Sequence, residues 1–320
     1  MRHVFTLGPV VALMSLVGCA STGMKTLPMS EAVKPVVVAK FPGYTEGVVF
    51  DKHGEAFVSV CYNGDIARVD PGSGKTTIFA HTSVPNGHKI LADGNHLVCD
   101  GPMHAVLLMS PNGEVIKRAS EECNGHPLRA PNDLTLDSEH SGFYFTDPGE
   151  SSKENPIGTI HYVDAQGITH LVDSGLAFPN GIVLTPDGKS LYVGESHYNR
   201  VWVYDVVAAG RIANGRIFAN LPAKSGDQID NQPDGMCLDQ AGNLYVAHYG
   251  MHQVQVVSPA GEVIRRYETG MMTTSNVAFG GPDHKQLFIT GAFAGEKGSE
   301  GGLVRLDLGV KGQVILPGEK

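Results

Sequence analysis

This sequence of 320 residues is missing several things, and each absence removes a class of protein. Clusters of lysine and arginine are absent. With 24 Lys and Arg against 33 Asp and Glu, and a formal net charge of −9, the chain has no basic footprint for phosphates. A nucleic-acid partner is not expected. No window keeps apolar residues at a helical period over three turns, which excludes an all-helical architecture. No two cysteines stand at CxxC spacing, which argues against a zinc ribbon. There is no G-x-S-x-G, so the strand-to-helix elbow of a serine hydrolase is unsupported. The mostly apolar stretch Val4 to Val17 falls short of the about 20 residues of a membrane-spanning helix.

What the chain does have is glycine, 40 residues of it, in a composition 42% apolar and 18% charged. That is a core-building composition cut into short strands by tight turns. The first nineteen residues are set apart. Met1-Arg2-His3 is a basic start, Val4 to Val17 is mostly apolar, and Leu16-Val17-Gly18-Cys19 closes on small residues before a cysteine. This is the pattern of a bacterial lipoprotein signal peptide, with Cys19 as the lipidated residue after cleavage. Ala20, rather than Asp, follows Cys19, which points to the outer membrane facing the periplasm. Residues 20–33 read as a flexible tether, and 34–320 as one domain. Cys61, Cys99, Cys123 and Cys237 remain, and their spacing assigns no disulfide over buried free thiols.

A repeated sentence organises the domain. Phe178 to Ser196 reads as Asn-Gly, a short apolar strand, a Pro-Asp-Gly turn, and a second strand ending on Glu195. Similar hairpins open at Glu46, Asn86, Asn132, Asp234 and Asn276, with successive openings 40, 46, 48, 54 and 42 residues apart. Further strand pairs lie between the hairpins. Four short antiparallel strands per repeat, six times, predict a six-bladed, all-β propeller. The last repeat holds about three strands, so Pro35 to Lys40 is expected to supply its outer strand, with Gln313 to Leu316 as a competitor for that edge.

In such a fold the opening residues Glu46, Asn86, Asn132, Asn180, Asp234 and Asn276 should form one ring. The second-strand ends, Val60, Asp100, Asp147, Glu195, His248 and Gly291, should face the same way. Any one Asn could simply cap a turn. Two carboxylates and several amides at equivalent places suit one divalent cation better. All these donors are oxygen, which favours Ca²⁺, then Mg²⁺ or Mn²⁺, with Zn²⁺ last. Glu46 and Asp234 together would neutralise a dication.

The motifs Glu46-Gly47-Val48-Val49-Phe50, Pro131-Asn132-Asp133, Pro179-Asn180-Gly181, Pro233-Asp234-Gly235 and Asn276 to Asp283 resemble the senescence-marker-protein/gluconolactonase family of six-bladed propellers, regucalcin-like and lactonase-type. The likeness covers roughly residues 35–308. It implies that Glu46, Asn180 and Asp234 hold the metal, and that Asn132 faces substrate or completes the metal shell. Relatives of the diisopropylfluorophosphatase type use the same four positions for calcium. The implied activity is metal-dependent opening of a small lactone or ester, with Asp234 as ligand and candidate general base. A phosphotriesterase-like hydrolase and a non-catalytic envelope-anchored binding propeller are the alternatives. The family's sugar-lactone members often carry Arg two residues before the matched Asn; here that place is Ala130, with Arg129 one step further back. Arg129, His88 and His248 are substrate-contact candidates at the rim. The implied protein is a monomer that meets the membrane only through its lipid.

Overall fold

Alternating apolar residues around glycine turns generate the same hairpin six times, and the hairpins arrange as six four-stranded antiparallel sheets around a central channel. The computed structural model describes Met1 and residues 26–295 and 300–313. The signal sequence, Cys19 and Val314 to Leu316 lie outside the described residues.

Blade 1 contains Thr45–Phe50, Ala56–Val60, Asp65–Val69 and Thr76–His81, from the channel outward. Blade 2 contains Pro85–Ile90, His96–Asp100, Ala105–Met109 and Val115–Ser120. Blade 3 has Leu134–Asp137, Gly142–Asp147, Gly158–Val163 and Thr169–Leu176. Blade 4 has Pro179–Leu184, Ser190–Glu195, Arg200–Ala208 and Arg211–Asn220. Blade 5 has Gln232–Leu238, Leu244–Tyr249, Gln253–Val257 and Val263–Glu268. Blade 6 takes Thr273–Gly280, Gln286–Ala292 and Gly301–Asp307 from the end of the domain and Val36–Phe41 from its start. The predicted closure is therefore present: Val36 pairs with Arg305 and Phe41 with Gly301. Gln313 instead bonds Leu238 of blade 5 through its backbone amide at 2.7 Å.

Six apolar clusters fill the six gaps between neighbouring blades. One gathers Phe57 and Ile66 of blade 1 with Val98, Leu107 and Met109 of blade 2. Another joins Tyr245 and Val256 of blade 5 to Leu287, Ile289 and Val304 of blade 6. Sheet-on-sheet burial of this kind holds the ring shut, with each large side chain contributing about 1.5–3 kcal/mol. The outermost strands, such as Thr76–His81, are mostly exposed. All four described cysteines are free thiols.

The expected tether is only partly one. Pro28 accepts hydrogen bonds from the Tyr267 hydroxyl (2.9 Å) and the Arg265 guanidinium (3.3 Å), and Val33 is buried against blades 5 and 6. Leu27 and Val33 are apolar enough to dock, so ordered packing begins before residue 33.

Candidate metal centre

Five of the six inner strands are bulged at their start. Thr45 pairs with Val60 and Val48 with Val58, leaving Glu46 and Gly47 opposite Ser59 alone. Equivalent register shifts fall between Pro85 and His88, Pro179 and Ile182, Pro233 and Met236, and Thr274 and Val277. An extra residue bends a strand and re-aims its side chain, and here it does so at one place in five blades. In blade 3 the same segment precedes the strand, with Asn132 bonded through its amide to the Thr146 carbonyl at 2.9 Å.

The register corrects the sixth copy of the repeat. Between the paired residues of blade 5 stand Asp234 and Gly235; between those of blade 6 stand Ser275 and Asn276. Ser275, not Asn276, is the equivalent of Asp234. Its hydroxyl is tied to the Thr45 carbonyl at 2.6 Å. Asn276 occupies the next tier, which is otherwise Gly47, Gly87, Asp133, Gly181 and Gly235. A methyl group on any of those four glycines would collide with the neighbouring blade: Gly47 with Asn86, Gly87 with Asp133, Gly181 with Asp234, Gly235 with Asn276. Close approach of successive blades, not a left-handed backbone, demands glycine there. The two side chains in that tier are Asp133, whose Oδ1 accepts the Leu134 amide at 2.8 Å, and Asn276, whose Oδ1 accepts the Val277 amide at 2.9 Å.

The chemistry of the ring follows from burial. Glu46, Asn180 and Asp234 are buried, whereas Asn132 and Asn86 are half-buried. Burial first, then the charges of Asp234 and Asp133, push the Glu46 carboxyl well above the usual carboxylate range; the Tyr44 hydroxyl and the Gly47 amide oppose this. Asp234 is raised by burial and by Asp133, against hydrogen bonds from the Gly235 amide and the Asn180 side chain. Glu46 Oε2 and Asn180 Oδ1 are buried with no hydrogen-bond partner among the described residues. Leaving such atoms unmatched costs about 1–3 kcal/mol each, and both are oxygens beside a second carboxylate. A hard, oxygen-seeking dication fits this donor set. Among the described residues no three or more His, Cys, Asp or Glu side chains come together so as to hold a metal ion, so the candidate site rests on two carboxylates and amide oxygens.

The acids at the second-strand ends are differently engaged. Asp100 Oδ2 accepts the amides of Ser83 (2.8 Å) and Val84 (3.0 Å). Asp147 accepts those of Arg129 (2.9 Å) and Ala130 (2.6 Å). Glu195 accepts the Ala177 amide (2.8 Å), Arg200 Nε (2.6 Å) and Trp202 Nε1 (2.7 Å). They bind the loops that lead into the inner strands.

Both rim histidines are elsewhere than expected. His88 is fully buried between blades 1 and 2, with Nε2 2.8 Å from Nδ1 of His96 and its ring near Phe57. Desolvation and the His96 ring hold its pKa well below the usual histidine value. His248 is also fully buried, 2.8 Å from Asn199 Oδ1, and burial lowers its pKa to about 3. In both cases the inward phase of the strand prevails over the polar residue type. Arg129 is exposed, its backbone fixed by Asp147 and by a 2.6 Å contact from its carbonyl to His104 Nδ1. Cys19 lies outside the described residues.

Two residues escaped the sequence reading. Asp133 sits in the quoted Pro-Asn-Asp motif, and its signal was that it replaces a glycine at a repeat position. Phe178 adopts φ 62°, a left-handed conformation disfavoured for a bulky residue, and stacks on His197 at 5.1 Å. Its carbonyl is fixed by the Ser196 amide at 3.0 Å, two residues before Asn180. No residue type signals that strain.

A profile described as "SMP-30/Gluconolactonase/LRE-like region" matches residues 44–293. The chain belongs to this family. Lactonase drp35 of Staphylococcus aureus (strain MW2) is 31% identical over 260 residues, covering 76% of this chain and 77% of the relative. Diisopropyl-fluorophosphatase of Loligo vulgaris is 27% identical over 289 residues, covering 82% and 90%. A crystal structure titled as a calcium-binding protein, regucalcin, from Agrobacterium tumefaciens superposes with a TM-score of 0.72 at 22% identity, covering 88% of this chain and 98% of that one. That likeness shows the propeller fold alone.

Proposed function

We propose that this member of the family is a divalent-metal-dependent hydrolase that opens a small, sugar-lactone-like substrate. The observation that carries the reading is the pair of unpartnered, buried oxygens, Glu46 Oε2 and Asn180 Oδ1, beside Asp234. Glu46, Asn180, Asp234 and Asn132 would hold the ion, Ca²⁺ before Mg²⁺, Mn²⁺ or Zn²⁺. When bound, the cation supplies Lewis acidity toward the ring carbonyl and acidifies water. Asp234, buried beside Glu46 and Asp133, would accept the proton of the attacking water. Asn132, half-buried one residue before Asp133, would orient the substrate through its amide. Arg129, exposed on the approach to Asn132, is available to a polar substrate. The name of the S. aureus relative supports lactone chemistry.

The test uses the full chain, a panel of lactones, an organophosphate, chelator and added Ca²⁺. Lactone opening is expected only with metal, and Asp234→Ala should lower kcat/KM at least about 10²-fold. Absence of stoichiometric metal, or full activity in Asp234→Ala, sinks the enzymatic reading and leaves a binding propeller. A phosphotriesterase-like reading is favoured by the similarity to diisopropyl-fluorophosphatase over 90% of that protein. Organophosphate cleavage with every lactone intact would select it. The chain is further proposed to act as a monomer anchored by a lipid on Cys19 at the outer membrane, facing the periplasm. Mass spectrometry of the mature amino terminus should find lipidated Cys19, and an unmodified Cys19 would refute the anchor.

A further inference from the structure

Below the candidate ligands, the inner strands present a second ring of side chains to the channel. It consists of Val49, Lys89, Thr135, Val183, Cys237 and Ala278, all lining a cavity of about 100 Å³. Their equivalence is fixed by register: they pair with Phe57, Leu97, Tyr144, Tyr192, Tyr245 and Phe288 of the six second strands. Five of the six are uncharged. The Lys89 side chain has no hydrogen-bond or ion-pair partner among the described residues. Alternation along the strand explains its direction, because His88 points into the gap between blades and Lys89 into the channel.

Above it, three carboxylates share the channel: Glu46 and Asp234 in the ligand ring and Asp133 in the glycine tier. Lys89 is the cation that acts on Asp133, opposing the effect of its burial. Lys89 is half-buried, and it is the charged member of this ring, facing the channel that Asp133 shares. Three negative charges and one fixed positive charge leave room for two more. A dication makes the channel neutral, and a trication leaves it one charge in excess.

We propose that Lys89 sets the charge selectivity of the metal site, its side chain lining the channel below the ligands as the counter-charge to Asp133, so that the site takes up two positive charges and discriminates against three. The inference rests on the metal reading above and adds the residue that decides which ion charge is preferred. It acts through space, so a second cation at position 89 should serve as well as lysine, and an isosteric neutral side chain should not.

The experiment measures Ca²⁺ and Tb³⁺ affinity for the full chain by competition, using Tb³⁺ luminescence at neutral pH. These ions are similar in size and both prefer oxygen, so the ratio of their affinities isolates charge. Lys89→Met should shift that ratio toward Tb³⁺ by about ten-fold, the effect of one unit charge at an effective dielectric of about 20. Lys89→Arg should leave it within about two-fold of the parent, since the charge is kept. Asp133→Asn combined with Lys89→Met should restore the parent ratio, which also covers any change in packing common to both Met-containing variants. An unchanged ratio in Lys89→Met, or an equal shift in Lys89→Arg, overturns the proposal while leaving the metal site standing. A parent chain that binds neither ion overturns the metal reading and this proposal with it.

Discussion

Two sets of acids occupy repeated positions at one end of this propeller, and they behave oppositely. Glu195, Asp147 and Asp100 end the second strands with their oxygens matched to backbone amides or to Arg200 and Trp202. Glu46 and Asp234 begin inner strands, near each other and near Asp133, and Glu46 Oε2 has no hydrogen-bond partner among the described residues. Residue type and burial are alike in both sets. The difference is whether the protein itself satisfies the carboxylate. Satisfied acids are part of the scaffold; an unsatisfied acid is where a ligand completes the structure.

The comparison can be broken by stability measurements on the metal-stripped protein. The largest effect is expected at Glu195: Glu195→Ala strands Arg200 and frees the Ala177 amide, and should cost about 3–5 kcal/mol by chemical denaturation. Glu46→Gln should move the other way, raising stability by about 1 kcal/mol, because it removes a buried charge held beside two others. If both substitutions destabilise equally, the division between scaffold acids and site acids is wrong.

The smallest effect concerns pH and separates the same two sets. Glu46 and Asp234 have carboxyl pKa values raised in the folded state, so the folded chain binds their protons more tightly than the unfolded chain. Stability from these groups is full below the ordinary carboxylate range and is lost as pH rises through the raised values. Metal-stripped protein should therefore lose stability from about pH 4 upward. The double variant Glu46→Gln with Asp234→Asn should show a flatter profile over that range. A profile identical to the parent would show that these carboxyls titrate normally.

Much of the architecture was legible along the chain because hairpins are local. Asn180-Gly181, the Pro-Asp-Gly turn and Glu195 lie within a few residues of one another, and their repetition states the blade count directly. Even the closure was readable, since Val36–Phe41 is the apolar run left over when the last blade is a strand short. The ring of opening residues was legible for the same reason, except at its sixth member. Counting residues from the loop chose Asn276, and only the pairing of Thr274 with Gly291 shows that Ser275 takes the equivalent place.

Other assignments depended on contacts between distant segments. His88 and His248 look like rim residues by type, yet strand phase turns both into the interior. Nothing near Asp147 or Glu195 in sequence distinguishes them from Glu46 as ligand candidates. The amides that satisfy Asp147 are 17 and 18 residues away, and the one on Glu195 is 18 away. The sequence by itself determined the period, the strand content and the oxygen-rich ring, because those are set by short-range turns and alternation. Tertiary structure alone decided which oxygens stay unmatched, which glycines leave space for the next blade, and that Lys89 faces the channel beneath Asp133. Hydrogen-bond satisfaction and charge balance are sums over everything that surrounds a group, and in a closed ring those surroundings come from blades far apart in the chain.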